Sequence, residues 1–388
     1  MKNKFSVFFI FLVLLSTLLT FSGFAKPKVY AEQSFQSKAV YLCDADTGTV
    51  MLKCNENKRY PIASMCKIMT LLLAFEEIDN CRLSLDDEIV VSKNASGMGG
   101  SQVFLEENGV YKTSELIKSI TVASANDACV AIAEKISDSE QNFVEKMNQK
   151  AQDLGMNDTF FVNCTGLPKS GQFSCAKDVS IMFSNLLKHK DYYKFSNIWM
   201  DKVEHNGGRY TEISNTNKLI RFYEGCDAGK TGYTSEAGHC LCASATRNNM
   251  RLISVVINAP DSKTRFKECS NMFNYGFENY VNKTIINNEK PLEITVNVSN
   301  GKKNTLSVIA ENSINVISKR NQDRCVEINF TPSENVKAPV LKGEKVGVLS
   351  IYENGIEIDT VNVLANEDVL EKTYFDCIFD IINNWALY

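Results

Sequence analysis

Residues 61–75 have the sequence PIASMCKIMTLLLAF. No proline or glycine follows Pro61 in this apolar run, which predicts a buried helix that begins near Ala63 and Ser64. Ser64 and Lys67 are three residues apart and therefore lie on one face of this helix. A serine becomes a nucleophile when a base takes its proton, and a lysine can be that base when burial or a nearby cation lowers its pKa. The alternative interpretation is a serine that caps the helix beside a solvent-exposed lysine.

The start of the chain predicts export. Met1-Lys2-Asn3-Lys4 is basic, and residues 5–24 are apolar apart from Ser, Thr and Gly. This pattern is typical of a secretory signal peptide, with small-residue cleavage sites at Ala25 and Ala31, of which we favour Ala31. An uncleaved signal anchor is the alternative, because the apolar run is near the minimum length of a membrane span. In both cases the protein is expected to act outside the cytoplasm.

Composition narrows the classes of function. The chain has 388 residues, of which 44% are hydrophobic and 23% charged, which predicts a soluble globular protein of two folded units. Removal of residues 1–31 lowers the number of basic residues from 42 to 38 against 46 acidic ones, a net charge of −8. Such a chain is not expected to bind nucleic acid. The 13 cysteines have no Cys-x-x-Cys spacing and the three histidines form no His-Glu-x-x-His, so neither a metal nor a cofactor is expected.

A second segment of interest lies between two predicted helices. Residues 113–133 have helical periodicity with a break at Ser124-Ala125-Asn126-Asp127. In one interpretation this is a loop whose Asn126 or Asp127 caps the next helix. In the other, Ser124 and Asn126 lie two residues apart on an extended turn and both point into one cleft.

A third segment, residues 227–234 (DAGKTGYT), precedes two predicted strands at residues 238–245 and 251–259. The glycines on both sides of Lys230-Thr231 fit a strand edge that the backbone of a ligand approaches closely. A surface turn is the alternative interpretation. The remaining predicted elements of this part of the chain are a hairpin over residues 39–52, a glycine-rich loop at residues 94–101, helices over residues 141–154, 176–187 and 265–280, and an irregular stretch that ends at residues 215–217.

In this order and with these separations, Ser64-x-x-Lys67, Ser124-x-Asn126 and Lys230-Thr231-Gly232 resemble the three motifs of penicillin-binding proteins and serine β-lactamases. The surrounding sequences IASMCKIMT, SANDACVAIAE, DAGKTGYTSEAGHCL and NAPDSKTRF are similar to those of the D-alanyl-D-alanine carboxypeptidases of low molecular mass. The resemblance covers residues 39–280. It implies an α+β fold of the β-lactamase/transpeptidase-like kind, in which helices pack on an antiparallel sheet.

The resemblance also implies roles for the matching residues. Ser64 would attack the carbonyl between the two terminal D-alanines of a peptidoglycan stem peptide, and Lys67 would take its proton. Burial and a second ammonium at Lys230 would both disfavour a charged Lys67. Ser124 would relay the proton to the leaving D-alanine, and water would hydrolyse the acyl-enzyme. β-Lactam antibiotics are the implied inhibitors. The residues implied in substrate binding are Asn126, Lys230, Thr231, Gly232, Tyr233 and Arg265, with the backbone N–H groups of Ser64 and Tyr233 around the oxyanion.

Three positions depart from the family pattern. Cys66 stands where threonine is usual, Ala125 where glycine is frequent, and Gln172 where histidine is frequent. None of these changes removes a group from the implied chemistry.

Two other functions stay open at this point. A β-lactamase uses the same acylation groups but must deacylate quickly, and the chain has no glutamate motif of the class A kind between Asn126 and Lys230. A non-catalytic module that senses wall peptides or penicillin would bind without releasing D-alanine. Either a carboxypeptidase or an endopeptidase fits the motifs.

The last hundred residues predict a second domain and a terminal helix. Residues 286–366 contain alternating strands separated by Asn-Gly and Lys-Gly turns, which is typical of a small β-sandwich. Residues 367–388 have apolar residues on about half of the helical wheel, which predicts an amphipathic helix on a membrane surface, or one packed on the sandwich or on a partner. The predicted division is a signal peptide at 1–31, a carboxypeptidase domain at 32–285, a β-sandwich at 286–366 and a helix at 367–388, in a protein at the outer face of the cytoplasmic membrane or in the cell wall.

Overall fold

The computed structural model describes residues 34–322 and 324–385, and the predicted signal peptide of residues 1–31 lies outside them. The predicted buried helix is confirmed, although it starts differently from the prediction. A 3₁₀ turn, Ala63–Cys66, leads directly into the α-helix Lys67–Asp79, and every residue from Lys67 to Phe75 is buried. The run is apolar on most sides because other elements surround this helix on most sides.

Helices and strands alternate irregularly in the first domain. The helices are α1 (Lys67–Asp79), α2 (Lys93–Ser96), α3 (Thr113–Ala123), α4 (Asn126–Ser137), α5 (Glu140–Asp153), α6 (Ala176–Leu187), α7 (Tyr193–Ser196), α8 (Leu219–Phe222) and α9 (Ser262–Asn279). The strands are β1 (Ala39–Asp44), β2 (Val50–Cys54), β3 (Glu88–Val90), β4 (Val110–Lys112), β5 (Met200–Glu204), β6 (Tyr210–Ser214), β7 (Cys226–Thr234), β8 (Gly238–Arg247) and β9 (Met250–Ala259).

Five of these strands form the main antiparallel sheet, in the order β2-β1-β9-β8-β7. Both faces of its centre are covered, so all six residues of β1 are buried. Tyr41 and Cys43 belong to the core that the sheet shares with α1. On the other face, Leu42 packs close to Gly276 of α9. The sheet therefore lies between α9 and a core to which α1 and α6 contribute, and β7 is left at one edge.

The prediction of an irregular stretch that ends at residues 215–217 is wrong in part. Strands β5 and β6 pair as an antiparallel hairpin, from Met200 opposite Ser214 to Glu204 opposite Tyr210. Four of the five residues in β5 are exposed, so this strand has no apolar alternation by which it could be predicted.

The second domain consists of two sheets with one apolar core. Its strands are β10 (Tyr280–Ile286), β11 (Thr295–Asn297), β12 (Thr305–Ala310), β13 (Ile314–Lys319), β14 (Val326–Pro332), β15 (Lys345–Glu353) and β16 (Ile356–Ala365). Strands β10 and β13 pair with each other, and the other five form a sheet in the order β11-β12-β16-β15-β14. Ile286 and Ile314 of the small sheet share a core with Ile351 and Val363 of the large one. The predicted fold class, an α+β domain followed by a small β-sandwich, is confirmed.

The terminal helix begins later than predicted. Val369 is buried and pairs with Val340 of the sandwich, so the chain is extended there, and α10 spans Tyr374–Trp385. Tyr374, Phe375 and Phe379 on this helix are exposed. None of the helices in the described part of the chain combines the length and the apolar character that a bilayer crossing requires.

Candidate active site

The first motif is shaped by the 3₁₀ turn before α1. In a 3₁₀ turn, side chains three residues apart eclipse one another. Lys67 Nζ accordingly lies 3.1 Å from Ser64 Oγ. The Lys67 side chain is fully buried, whereas Ser64 is only partly buried. The turn thus pairs a hydroxyl at the protein surface with an amine in its interior.

The second motif occupies the junction between α3 and α4. Ser124 ends α3 in the left-handed conformation, with φ = +63°, and its side chain is buried. Lys230 Nζ donates a hydrogen bond of 2.6 Å to Ser124 Oγ. Ser124 therefore contacts the third motif, and the N-cap of α4 is Ala125 rather than Asn126 or Asp127.

The third motif lies on the edge strand β7 and packs against the first. A Cβ atom on Gly232 would lie 2.6 Å from the carbonyl oxygen of Ile62 and 3.2 Å from the backbone nitrogen of Ser64. Only glycine allows such a close approach. Gly232 therefore joins the third motif to Ser64, and Lys230 joins it to Ser124, so the three segments converge on one site.

Asn126 and Thr231 lie beside these contacts. Asn126 Nδ2 donates to the carbonyl of Gly99 at 2.6 Å, while its buried Oδ1 has no hydrogen-bond partner among the described residues. Thr231 Oγ1 donates to the hydroxyl of Thr216 at 2.8 Å. Thr216, at the end of the irregular stretch, is a site neighbour that the sequence analysis missed.

Tyr233 lies near the end of β7, and Arg265 contacts this end of the strand from α9. The Tyr233 side chain is 60% exposed, and its ring centroid is 4.4 Å from that of His239 on β8. Arg265, on α9, donates from Nη1 to the carbonyl oxygens of Gly232 at 3.1 Å and Cys240 at 3.2 Å. The arginine thus contacts the backbone of the third motif and of the neighbouring strand β8.

The electrostatics of the site are dominated by two buried amines. Burial lowers the pKa of Lys67 below its ordinary value. Burial, and after it the positive charge of Lys67, holds the pKa of Lys230 well below its ordinary value. Repulsion between two ammonium groups is mutual, so protonation of either amine disfavours protonation of the other. A neutral amine beside Ser64 is the form that can accept its proton.

A further contact of Lys67 has no counterpart in the sequence analysis. Lys67 Nζ donates to the main-chain carbonyl of Thr165 at 2.5 Å. The next residue, Gly166, lies against the backbone of Ala63, with φ = +81°. A main-chain carbonyl has no side-chain signature by which Thr165 could have been found in the sequence.

The family model described as "D-alanyl-D-alanine carboxypeptidase" matches residues 26–261. The chain belongs to this family. A second model, described as the C-terminal domain of penicillin-binding protein 5, matches residues 280–371, which include the β-sandwich.

Relatives of the D-alanyl-D-alanine carboxypeptidase family match nearly the whole chain. It is 37% identical over 376 residues to the carboxypeptidase DacF of Bacillus subtilis, covering 96% of each protein. It is 30% identical over 373 residues to DacC of Escherichia coli, covering 93% of this chain and 91% of DacC. The crystal structure of penicillin binding protein 5 from Haemophilus influenzae matches with a TM-score of 0.70 and 29% identity, covering 88% of this chain and 99% of that one.

The structure gives two of the three departures from the carboxypeptidase pattern a physical setting. The Cys66 thiol donates to the carbonyl of Asn163 at 3.3 Å, as a threonine hydroxyl at this position could. Gln172 Oε1 accepts from the backbone N–H groups of Val162 at 3.0 Å and Asn163 at 3.1 Å. Both residues therefore hold the segment that carries Thr165.

Proposed function

We propose that Ser64 is the nucleophile of a serine D-alanyl-D-alanine carboxypeptidase and that Lys67 is its general base. The observation that carries this proposal is the 3.1 Å contact between Lys67 Nζ and Ser64 Oγ at a site where the amine is fully buried. A neutral amine has two N–H donors and one lone pair. With one N–H bound to the Thr165 carbonyl, the lone pair of Lys67 can accept the Ser64 proton as Oγ attacks the substrate carbonyl.

Ser124 and Lys230 return the proton to the leaving group in this proposal. Their 2.6 Å hydrogen bond connects the second and third motifs beside Ser64. As the peptide bond breaks, Ser124 donates its proton to the amine of the leaving D-alanine and is reprotonated through the amines. The backbone N–H groups of Ser64 and Tyr233 stabilise the oxyanion that forms during attack.

Substrate recognition uses the remaining residues of the three motifs. The unpartnered Oδ1 of Asn126 accepts the N–H of the substrate peptide, since a buried acceptor without a partner is costly in the free protein. Lys230, Thr231 and Arg265 supply donors and positive charge for the terminal carboxylate. The substrate is a peptidoglycan pentapeptide stem, which loses its terminal D-alanine when water hydrolyses the acyl-enzyme on Ser64. β-Lactams acylate the same serine.

The test is covalent labelling by a fluorescent penicillin together with D-alanine release from a model pentapeptide. Ser64→Ala should abolish both, whereas Ser170→Ala, an exposed serine that lines the same cavity as Ala63, should change neither. Lys67→Ala should lose acylation with its thermal unfolding transition intact. Labelling of Ser64→Ala would place the nucleophile elsewhere, and rapid turnover of nitrocefin by the wild type would favour a β-lactamase.

We further propose that the protein is exported by residues 1–31 and contacts the outer face of the membrane through α10. Tyr374, Phe375 and Phe379 on this helix are 78%, 70% and 63% exposed, an arrangement that suits the headgroup region of a bilayer. Phe375→Glu combined with Phe379→Glu should reduce sedimentation with lipid vesicles and leave D-alanine release unchanged. Equal sedimentation of the double variant and the wild type would contradict this role.

A further inference from the structure

The peptide group between Thr165 and Gly166 is held at both ends. Its carbonyl oxygen accepts from Lys67 Nζ at 2.5 Å, and its N–H donates to Asn163 Oδ1 at 2.7 Å. The carbonyl and the N–H belong to one planar unit, so fixing the N–H also fixes the direction of the carbonyl. A hydrogen bond at the N–H also polarises the group and makes its carbonyl a stronger acceptor.

Asn163 is itself firmly placed. Its Nδ2 donates to the carbonyl of Leu167 at 2.9 Å, so its side chain spans the turn from within. Gln172 holds it from outside, with Oε1 on the Asn163 backbone N–H and Nε2 donating to Asn163 Oδ1 at 3.3 Å. The Asn163 side chain is also 91% buried, since its exposed fraction is only 9%. These contacts leave the amide little freedom to turn.

The same turn touches the nucleophile. Gly166 is so close to Ala63 that an added Cβ would lie 2.1 Å from its carbonyl oxygen and 2.9 Å from the backbone nitrogen of Ser64. A change in the direction of the Thr165–Gly166 peptide would therefore alter the contacts of both Ser64 and Lys67.

We propose that Asn163 is a positioning residue for the general base: it fixes the Thr165 carbonyl, which commits one N–H of Lys67 and aims the amine lone pair at Ser64. This inference rests on the proposed role of Lys67. Asn163 does not touch the reacting atoms and acts through the Thr165–Gly166 peptide, and its Oδ1 also accepts from Thr165 Oγ1 at 3.3 Å. Gln172 supports it by holding the Asn163 amide.

Asn148 supplies a matched control. Its Oδ1 accepts from the N–H of Phe161 at 2.8 Å and its Nδ2 donates to the Phe161 carbonyl at 2.9 Å. Asn148 therefore clamps the backbone at Phe161, two residues upstream of Asn163, in the way that Asn163 clamps its own turn. The peptide groups that Asn148 holds do not contact Lys67. Asn148→Ala and Asn163→Ala should therefore both lower the unfolding temperature, and only the second should impair the base.

The experiment measures the second-order rate of acylation by a fluorescent penicillin as a function of pH, with thermal unfolding in parallel. Asn163→Ala should lower the plateau rate by about 10- to 100-fold, because the base is misaimed. It should also move the acid limb to lower pH, since a carbonyl acceptor favours the charged amine and its loss lowers the Lys67 pKa further. Asn148→Ala should leave both features as in the wild type.

Asn163→Asp provides the second variant. It keeps an acceptor for the Gly166 N–H but adds a negative charge near Lys67, so it should recover much of the plateau while moving the acid limb to higher pH. Opposite shifts for the two variants support the proposal. It is overturned if Asn163→Ala keeps the wild-type plateau and limb, or if Asn148→Ala reproduces its profile. A wild type that is not acylated on Ser64 would instead refute the proposed function.

Discussion

Replacing Gly166 with alanine should damage the site more than the same change elsewhere in its loop. Gly166 has φ = +81°, and an alanine in this left-handed region costs about 1 to 2 kcal/mol. The new Cβ would also lie 2.1 Å from the Ala63 carbonyl oxygen, whereas ordinary contacts begin at 3.4 Å. The oxygen is a backbone atom and the position of the Cβ is fixed by the backbone. The two segments must therefore separate by more than 1 Å, which adds about 1 to 3 kcal/mol.

The substitution Gly171→Ala separates the cost of the left-handed backbone from the cost of the clash. Gly171 lies in the same loop with φ = +91°, but the nearest atom to an added Cβ is Val162 Cγ1 at 3.8 Å. Gly171→Ala should therefore pay only the conformational cost, about 1 to 2 kcal/mol of unfolding free energy, and acylate at the wild-type rate. Gly166→Ala should lose about 2 to 5 kcal/mol in all.

The functional consequence follows from the direction of the clash. The Ala63 carbonyl precedes Ser64, so a shift of about 1 Å there moves the nucleophile relative to Lys67. A misplacement of this size typically costs about 100-fold in rate. Chemical denaturation and the acylation rate with a fluorescent penicillin should be measured on both variants. If Gly166→Ala matches Gly171→Ala in stability and in rate, the close packing between Gly166 and Ala63 does not hold the site.

Two further predictions concern the amines. Acylation should slow as the pH falls, because protonation removes the Lys67 lone pair. The midpoint of this decrease should lie below 10.5, the ordinary lysine value, because burial lowers the Lys67 pKa. A rate independent of pH across the acid and neutral range would contradict the base assignment. Lys230→Met should abolish labelling, and its free energy of unfolding relative to the wild type should be higher at neutral pH than near pH 10.5. The pKa of Lys230 is lowered in the folded state, so the unfolded chain binds the proton more strongly and unfolding is favoured below the ordinary value of 10.5. The difference between the variant and the wild type should therefore move against the variant as the pH approaches that value, and a difference that does not change with pH would contradict this account.

The parts of the fold that could be predicted are those in which the period of apolar residues follows burial. The run from Lys67 to Phe75 is buried on most sides and is apolar on most sides, so its helix was predictable. In the sandwich, strand β12 and the second half of β16 alternate in burial because one face of the sheet covers the shared core. The exposed hairpin of β5 and β6 has no such pattern, and it was missed for that reason.

The site divides in the same physical way. Ser64, Lys67, Ser124 and Lys230 could be chosen from the sequence because their chemistry depends on side chains. Thr165 acts through a main-chain carbonyl, which every residue type possesses, and Gly166 acts through the absence of a side chain at a place where two backbones meet. Contacts of these two kinds become visible only when the distant segments are seen together.

The two amines have equivalent partners and yet different surroundings. Lys67 contacts the Ser64 hydroxyl and the Thr165 carbonyl, and Lys230 contacts the Ser124 hydroxyl and its neighbouring carbonyl of Thr231, at 3.1 Å. Ser124 is 3% exposed, whereas Ser64 is open enough to meet a substrate. Exposure therefore favours Ser64 over Ser124 as the proposed nucleophile. A charge on Lys67 lowers the pKa of Lys230. In the proposed mechanism, uptake of the Ser64 proton by Lys67 would therefore make the second amine more acidic when the leaving D-alanine needs a proton.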